Sequence, residues 1–399
     1  MPLDLISTLC DLVAIPSVNP MGRADLDETG CEARVTDYLE KTLRELGLPT
    51  ERQEVAPGRS NLLARFDGAG QSASAGGGGE VIVWEVHQDT VPVDGMTIPP
   101  FTPSIVGDRL YGRGACDVKG GMAAMLHALS RVVETRPAQR PTIVFAATVN
   151  EEFGFSGAKA LARNWQGASR LLPRAPDGII VAEPTKLDVV VAHKGAVRWR
   201  LETLGKAAHS SRPEQGDNAI FRMARVLAAL EAFQRDVAPQ LSSHPRCGRS
   251  TLSVGVIRGG LSVNTVPDHC VIEIDRRLTP GEDPEVAYRG VIDYLAAQTA
   301  NDPRIVHQGP FLSGSGLDDR HNLGFGERML RAARSVHPGA SLAGVPYGTD
   351  AAVLAAAGAP CVVFGPGSIA QAHTADEWIS LESLRAASDA LARFADNGA

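Results

Sequence analysis

The amino-acid sequence predicts an α/β protein whose main domain is interrupted by a smaller α+β domain. The chain has 399 residues, which is more than one domain usually contains. Short apolar runs alternate with amphipathic helices in the first half, as in parallel sheets covered by helices. Near Gly195 this pattern changes, and it returns after about residue 308. We therefore predict a discontinuous main domain over residues 1–194 and 308–399, with an insertion at 195–307.

The elements of the main domain follow from the spacing of its apolar residues. Helical spacing predicts one helix over residues 28–46, ending at Gly47, and another over 118–133. Short apolar runs predict strands at 61–66, 81–86, 142–149, 178–182 and 361–364. This alternation of strands and helices predicts a sheet with helices on both faces.

The inserted region has a different pattern of elements. Its residue spacing predicts a strand at 196–204, a helix at 218–233, strands at 251–257 and 270–278, and a helix at 284–299. An order of strand, helix, strand, strand and helix is typical of an α+β domain with an antiparallel sheet. We therefore expect the insertion to be a compact domain within the larger one.

Composition and charge narrow the classes of function. The chain carries 46 acidic against 39 basic residues, and no basic stripe suggests nucleic acid as a partner. No apolar run is long enough to cross a bilayer, so no membrane partner is expected. The N-terminal segment lacks the positive region of a signal peptide, and the six cysteines form no Cys-x-x-Cys pair. We therefore expect a cytoplasmic protein in which any metal is held by histidine and carboxylates.

Five segments place histidine or carboxylate side chains at or near the ends of predicted strands, or close to the C-terminus. They are VWEVHQD (83–89), GRGACDVKGG (112–121), TVNEEFG (148–154), AEPT (182–185) and GPGSIAQAHTADE (365–377). Taken singly, each is usually an ordinary turn or a solvated surface. Together they indicate a shared metal site, because Glu151 and Glu152 directly follow an apolar strand, where unpaired carboxylates are costly.

These segments, in this order, resemble the dizinc hydrolase family of acetylornithine deacetylase, succinyl-diaminopimelate desuccinylase, glutamate carboxypeptidase and aminoacylase. The resemblance covers nearly the whole chain. It implies a zinc-peptidase-like α/β catalytic domain with an inserted α+β dimerisation or lid domain. It also implies two Zn²⁺ ions per subunit, with Co²⁺ able to substitute, and a homodimer.

The resemblance implies a role for each candidate metal ligand. His87 and Glu183 would bind one metal, and Glu152 and His373 would bind the other. Asp117 would bridge the two metals. Nitrogen and oxygen ligands suit zinc where thiolates are absent, and a carboxylate suits the bridging position between two close metals.

The resemblance also implies catalytic roles for three residues that bind no metal. Glu151 would be the general base, taking a proton from a metal-bridging water and passing it to the leaving amine. Asp89 would hydrogen-bond the other ring nitrogen of His87 and so orient the imidazole. His209 lies in a segment that resembles the one whose histidine stabilises the oxyanion, often from the partner subunit.

Candidate substrate-binding residues lie in the insertion and near residue 350. Asn264 and Arg277 are in segments that resemble those holding the substrate carboxylate, for which the fork of an arginine is suited. Arg276 and Arg277 would point to opposite faces of one strand, and we favour Arg277. Residues 348–350 are a weaker candidate for contacts with substrate.

Within the family, residues 193–195 and 365–377 look most like acetylornithine deacetylase and its near relatives. We therefore predict hydrolysis of the amide bond of an N-acylated amino acid, with N-acetylornithine as the leading substrate. Succinyl-diaminopimelate desuccinylase and a dipeptidase or carboxypeptidase acting on short peptides are alternatives. A catalytically weak binder of amino-acid derivatives is the non-enzyme alternative, but Glu151, which binds no metal, favours catalysis.

Overall fold

The computed structural model of the protein describes residues 1–22, 31–69 and 79–396. Within them, the β-strands are β1 (Thr50–Ala56), β2 (Arg59–Phe66), β3 (Val81–His87), β4 (Ser104–Val106), β5 (Arg109–Tyr111), β6 (Thr142–Thr148), β7 (Gly178–Val181), β8 (Val189–His193), β9 (Gly195–Leu204), β10 (Ala208–His209), β11 (Ser243–His244), β12 (Gly248–Arg249), β13 (Thr251–Gly259), β14 (Thr265–Val266), β15 (His269–Leu278), β16 (Ile305–His307), β17 (Leu312–Gly314), β18 (Leu342–Val345), β19 (Cys361–Val363) and β20 (Trp378–Ser380). The α-helices are α1 (Leu5–Ala14), α2 (Ala33–Glu45), α3 (Lys119–Thr135), α4 (Ser156–Arg163), α5 (Ala219–Ala232), α6 (Ala238–Leu241), α7 (Pro284–Gln298), α8 (Leu323–Arg334), α9 (Asp350–Ala356) and α10 (Leu381–Asp396). In these described residues, none of the helices has the length and apolar character needed to cross a membrane.

In the described part of the chain, the main sheet has eight strands in the order β1-β2-β6-β3-β7-β19-β8-β18. Its central strands run parallel, because β3 pairs in that direction with β6 and β7, and β7 pairs with β19. Strands β2 and β1 extend the sheet in antiparallel fashion beyond β6. The carboxyl ends of the four parallel strands therefore meet at one edge of the sheet.

Apolar side chains cover both faces of this sheet. Every residue of β3 and β6 is buried, which explains why both strands are mostly apolar in sequence, although β3 also contains Glu85 and His87. Ile82, Trp84 and Val86 of β3 join a large core to which α1, α2, α3, α8 and α10 also contribute. Helix α9 packs near β7 and β19, and α4 packs on α9.

The chain divides into two compact units. The first contains Met1–Val191, Asp319–Ala343 and Thr349–Ala399, and the second contains Ala192–Asp318 and Gly344–Gly348. The second unit has an antiparallel sheet in the order β13-β15-β9-β16, with β17 also pairing with β9. Helices α5 and α7 pack on β9 and β15 around a core of their own.

The predicted fold class, an α/β domain with an α+β insertion, is confirmed. The start predicted for the first helix, residue 28, lies outside the described residues, and α2 is described from Ala33. Helix α1 was not predicted, although Asp4 caps it by accepting from the N–H of Ser7 over 2.7 Å. The second unit extends beyond residue 307 because β17 also pairs with β9.

Candidate metal centre

Side chains able to bind metal collect at the carboxyl edge of the parallel strands. Strand β3 lies between β6 and β7, so the segments that follow these strands meet there, although they are distant in the sequence. The turn before α3 and the segment between β19 and β20 add one side chain each. The side chains brought together are His87, Asp117, Glu151, Glu152, Glu183 and His373.

Asp117 contacts both histidines of this cluster. Its Oδ1 atom is 3.2 Å from Nε2 of His87, and its Oδ2 atom is 3.3 Å from Nε2 of His373. Nε2 of His87 is also 3.9 Å from Oε1 of Glu183. Nε2 of His373 is 3.2 Å from Oε1 of Glu152. The described residues of the cluster form three groups of three potential ligands, and two of these groups, His87 with Glu183 and Glu152 with His373, share Asp117.

Two glycines let the first turn of α3 approach its neighbours closely. A Cβ atom on Gly120 would lie 2.5 Å from the carbonyl oxygen of Ala115, and one on Gly121 would lie 2.9 Å from the Cβ of Ala182. Real Cβ atoms do not approach other atoms so closely, so glycine is needed at both positions. The close packing places the turn before α3 against the segment that follows β7.

The second ring nitrogen of His87 is held by a backbone carbonyl. Its Nδ1 lies 2.9 Å from the carbonyl oxygen of Asp89, whereas Oδ1 of the Asp89 carboxylate is 3.7 Å away. The prediction that the side chain of Asp89 makes this hydrogen bond is therefore wrong, because the main chain of the same residue makes it. With the proton on Nδ1, the lone pair of Nε2 faces the carboxylates, as a metal ligand requires.

The carboxylate of Asp89 instead holds the paired glutamates. Its Oδ1 accepts from the backbone N–H of Glu151 and its Oδ2 from that of Glu152, each over 3.1 Å. The side chain of Asn19 donates to the same carboxylate over 2.7 Å. Asp89 is buried, so these hydrogen bonds form away from water, where they are electrostatically stronger. Asp89 therefore orients the loop after β6.

A second buried carboxylate supports this loop and was not found from the sequence. Glu32 is ion-paired with Arg59, whose Nε lies 2.8 Å from Oε2 of Glu32. Oε1 of Glu32 accepts from the backbone N–H of Asn150 over 3.1 Å. The side-chain oxygen of Asn150 accepts in turn from Asn19 and Arg59. These residues form no local motif, so only the folded chain brings them together.

Burial makes negative charge costly for the glutamates of the cluster. It raises the pKa of Glu151, Glu152 and Glu183 above the usual value for glutamate. The nearby charge of Asp117 raises the pKa of Glu152 and Glu183 further. Within the described ranges, none of these four carboxyl groups forms an ion pair with lysine or arginine.

The histidines of the cluster have pKa values shifted upward. Hydrogen bonds to Asp117 and Glu152 raise the pKa of His373 to about 10. Burial opposes the charged form of His87, but its hydrogen bond to Asp117 and the charge of Glu183 outweigh burial and raise its pKa. Without metal these shifts favour the protonated imidazoles, so metal binding at each Nε2 would displace a proton.

This donor set fits two divalent metal ions. Imidazole nitrogen and carboxylate oxygen are ligands that Zn²⁺ accepts, and a carboxylate with an oxygen toward each group suits a bridge. Two cations would also offset the excess of buried carboxyl groups. The nearby thiol of Cys116 has another partner, since its Sγ donates to the carbonyl of Ser368 over 3.3 Å.

A further pair of acids, Glu85 and Asp350, is buried in the same unit. The hydroxyl oxygen of Thr148 contacts both carboxyl groups, at 3.0 Å from Oδ2 of Asp350. Burial raises the pKa of Glu85, and it raises the pKa of Asp350 to about 6. Asp350, one of the residues 348–350 predicted as weaker candidates for contacts with substrate, has a buried side chain.

His209 and Asn264 are neighbours in the second unit. His209 ends β10 and lies opposite Thr265 of β14, and the N–H of Ser210 donates to the carbonyl of Asn264 over 2.9 Å. Both predicted residues are exposed, and Nδ1 of His209 is 2.7 Å from the hydroxyl of Ser211. Their exposure leaves them accessible to a ligand or to a second chain.

The two arginines of β15 point to opposite faces of their sheet, as the period of two along a strand requires. Arg276 is fully buried, and its Nη2 lies 2.9 Å from Oε1 of Glu282. Arg277 is partly exposed, and its Nε lies 3.0 Å from Oδ1 of Asp275. Arg277 therefore has the exposure that contact with a substrate requires, whereas Arg276 stabilises the unit.

The fold and the cluster define a class of protein, an α/β protein with a candidate site for two metals at the carboxyl edge of its sheet. The sequence pattern of peptidase family M20/M25/M40 matches residues 83–397, and the chain belongs to this family. The acetylornithine deacetylase of Myxococcus xanthus is 31% identical over 397 residues, covering 98% of this chain and 96% of that relative. The acetylornithine deacetylase of Edwardsiella ictaluri is 33% identical over 383 residues, covering 94% and 92%.

Solved structures share the fold along almost the whole chain. An M20 family metallo-carboxypeptidase of Sulfolobus solfataricus has a TM-score of 0.75 at 17% identity, covering 99% of both chains. An aminopeptidase of Bacillus cereus has a TM-score of 0.72 at 23% identity, covering 98% of this chain and 97% of that one. Together with membership of the family, the shared fold identifies the chain as a metal-dependent hydrolase.

Proposed function

We propose that the protein hydrolyses the amide bond of N-acylated amino acids at a centre of two metal ions. The observation that carries this proposal is the position of Asp117, whose two oxygens lie 3.2 and 3.3 Å from different histidines. His87 and Glu183 complete one set of ligands, and Glu152 and His373 complete the other. Asp117 would then be a ligand common to both metals.

Bound metals supply Lewis acidity, which polarises the amide carbonyl and makes water a usable nucleophile near neutral pH. Glu151 is the general base. It is buried beside His87 and Glu152, with potential ligand atoms of the three residues within 4.8 Å of one another. Burial raises its pKa, which suits a carboxylate that accepts and returns a proton near neutral pH.

The proton follows a short path through Glu151. Its carboxylate takes the proton from the water that attacks the amide carbon, and it then delivers the proton to the nitrogen of the leaving amine. Asp89 keeps Glu151 in place through the hydrogen bond to its backbone N–H, at 3.1 Å. Asp89 therefore acts on the reaction by positioning the base.

Zinc is the metal that this donor set favours, with two ions per subunit and Co²⁺ able to substitute. Two imidazoles and three carboxylates give each ion nitrogen and oxygen ligands and leave room for substrate. A solved structure from Bacillus subtilis, described as a dinuclear metal binding peptidase of the same family, has a TM-score of 0.67 and 17% identity. That relative supports a count of two metals.

N-acetylornithine is the substrate that we place first. The relatives named above are acetylornithine deacetylases, and they match almost the full length of this chain at 31% and 33% identity. Succinyl-diaminopimelate and short peptides are alternatives, because the same catalytic set would cleave any amide next to a carboxylate-bearing residue. Asn264 and Arg277 are the residues proposed to bind that carboxylate, since both are accessible in the second unit.

A homodimer is the assembly that we propose for the second unit. Strand β13 lies at the edge of its sheet, and strand edges are surfaces on which another chain can pair. Ile257 on β13 is exposed, as are Leu261 and Val263 in the following loop. In this dimer His209 stabilises the oxyanion in the active site of the partner chain.

The cytoplasm is the compartment that we propose. All six cysteines are free thiols, and Cys116, Cys247, Cys270 and Cys361 are buried. Buried free thiols without a disulfide framework are typical of proteins from a reducing compartment.

A panel of substrates tests the proposed function directly. Metal-loaded protein is assayed against N-acetylornithine, other N-acetyl amino acids, succinyl-diaminopimelate and simple dipeptides, with release of the free amine as the readout. We expect the highest kcat/KM for N-acetylornithine. Faster cleavage of succinyl-diaminopimelate or of a dipeptide would support that alternative function instead. If no amide is cleaved, the proposal is refuted.

A further inference from the structure

We propose that Glu377 is a positioning residue that fixes Asp117 relative to His373 and so determines how tightly the second metal is held. By the second metal we mean the one bound by Asp117, Glu152 and His373. The inference rests on the proposed two-metal centre. It adds to that centre a residue that is not itself a candidate ligand and whose role the sequence alone did not indicate.

Four donors of the turn before α3 converge on the side chain of Glu377, which is fully buried. Its Oε1 accepts from the backbone N–H of Cys116 over 2.8 Å and from that of Asp117 over 3.0 Å. Its Oε2 accepts from the backbone N–H of Gly114 over 3.1 Å and from Nη1 of Arg113 over 2.6 Å. The turn that carries the bridging ligand is therefore folded around one carboxylate.

Glu377 also belongs to the segment that carries His373. Its backbone carbonyl accepts from the N–H of Gly112 over 3.0 Å, which adds a main-chain connection to the same turn. A second main-chain hydrogen bond anchors this segment, from the N–H of Thr97 to the carbonyl of Ala375 over 2.8 Å. Glu377 thus joins two stretches of chain, each of which supplies one ligand of the second metal.

The chemistry of the contacts requires a carboxylate at this position. Both oxygens accept from two donors, and a glutamine would turn its NH₂ group toward one of these pairs of donors in either orientation. A buried donor without an acceptor is costly, so the turn would have to move. The charge of Arg113 offsets the charge of Glu377, since its guanidinium pairs with Oε2.

Loss of the hydrogen bonds to Glu377 should affect the two metals unequally. Nε2 of His373 lies 3.3 Å from Oδ2 of Asp117. Glu377 belongs to the segment of His373 and hydrogen-bonds the turn that carries Asp117. His87 and Glu183 follow strands of the main sheet and have no hydrogen bond to Glu377 in the described part of the chain. Loss of the Glu377 contacts should therefore weaken the second metal much more than the first.

The test compares Glu377→Gln with a matched control, Glu282→Gln. Glu282 is also paired with a buried arginine, Arg276, and its Oε2 accepts from the backbone N–H of Thr279 over 2.6 Å. It lies in the second unit, whereas all the candidate ligands are in the first. Both variants lose a buried carboxylate–arginine pair, but only Glu377→Gln disturbs the turn that carries Asp117.

Metal binding is measured by titrating Zn²⁺ into metal-free protein with a competing chelator, and by the visible absorption of Co²⁺. Thermal unfolding is recorded in parallel. For Glu377→Gln we expect the first metal, which shares Asp117, to bind slightly more weakly and the second, which also depends on the segment of His373, to bind about 10–100-fold more weakly. The Co²⁺ band of the second site should change. For Glu282→Gln we expect lower thermal stability with both metal affinities unchanged.

Three results would overturn the inference. They are wild-type affinity for both metals in Glu377→Gln, equal weakening of both metals, and the same loss in Glu282→Gln. If Glu377→Gln does not fold, Arg113→Lys replaces it, because lysine keeps the charge and leaves the backbone donors in place. A smaller, selective loss of the second metal is then expected, and unchanged binding would contradict the inference. A wild-type protein that binds fewer than two metals refutes the proposed centre itself, and this inference with it.

Discussion

The candidate functional residues of the two compact units differ in burial and in the hydrogen bonds that hold them. In the first unit, Asp117 is buried and its backbone and side chain are both bound by other residues. In the second unit, His209 and Asn264 are exposed, and their side chains hydrogen-bond close sequence neighbours, Ser211 and Ser262. Most of the first set is therefore enclosed by protein, with His373 as the exposed member, and the second set is accessible.

This difference matches what each set has to do. Metal ligands act through geometry, so a supporting layer of hydrogen bonds must hold them at fixed distances. Residues that touch substrate or a second chain must first be reachable, and binding can order them afterwards. The comparison supports the proposal that the first unit carries metal binding and proton transfer and that the second carries recognition.

Removal of the metals tests the first unit and should have the largest effect on activity. The cluster uses only histidine and carboxylates, so a chelator should strip the metals and abolish activity, and Zn²⁺ or Co²⁺ should restore it. Activity is measured alongside metal content at each step. Full activity in a preparation verified to be free of metal would contradict the mechanism.

Glu151→Gln separates proton transfer from metal binding within the first unit. We expect kcat to fall by about 10²–10⁴, because a general base of this kind contributes that factor. Metal content should remain that of the wild type. The adjacent Glu152→Gln is the control, and it should lose metal because Glu152 contacts His373 at 3.2 Å. A near-normal kcat in Glu151→Gln would exclude Glu151 as the base.

His209→Ala tests whether an exposed residue of the second unit takes part in the chemistry. Loss of an oxyanion donor should lower kcat by about 10²–10³. His269→Ala is the control, since His269 is an exposed histidine of the same unit that contacts Glu202 at 3.3 Å. It should retain normal kcat. Co-expression of His209→Ala with Glu151→Gln should recover activity if His209 acts on the partner chain, and no recovery would place it within one chain.

The adjacent arginines of β15 give the smallest expected effect on catalysis. Arg277→Ala should raise KM by about 10–100-fold with a smaller change in kcat, because a charged hydrogen bond to the substrate carboxylate is lost. Arg276→Ala should leave KM unchanged but lower the free energy of unfolding by about 3–5 kcal/mol, since it breaks a buried ion pair. Steady-state kinetics and denaturant unfolding distinguish the two variants. A raised KM in Arg276→Ala and a loss of stability in Arg277→Ala would show that Arg276 is the residue that contacts substrate.

Much of the fold was predictable because the main sheet is buried on both faces. Short, mostly apolar runs identify β3, β6 and β7, and the change of pattern near Gly195 identifies the second unit. The short strands β4, β5 and β20 carry too few residues for a periodic pattern, and they were not predicted.

The candidate ligands were predictable for a related reason. His87 ends a mostly apolar strand, and Glu151 and Glu183 lie within three residues of the ends of two others, where a polar side chain is conspicuous in the sequence. The residues that support them were not, because Asn19, Glu32 and Arg59 belong to no local motif. Asp89 was predicted as a site residue, but its carbonyl, not its carboxylate, contacts His87, and its carboxylate accepts from the backbone N–H of Glu151.

By itself, the sequence determined the order of elements, the division into two kinds of domain, and the side chains available for metal and proton chemistry. Apolar periodicity and strand ends are local properties, so they can be read along the chain. Only the tertiary structure decided which oxygen of Asp117 faces which histidine, and that Glu377 gathers four donors of one turn. Those relations depend on distances between segments far apart in the sequence, and folding alone sets such distances.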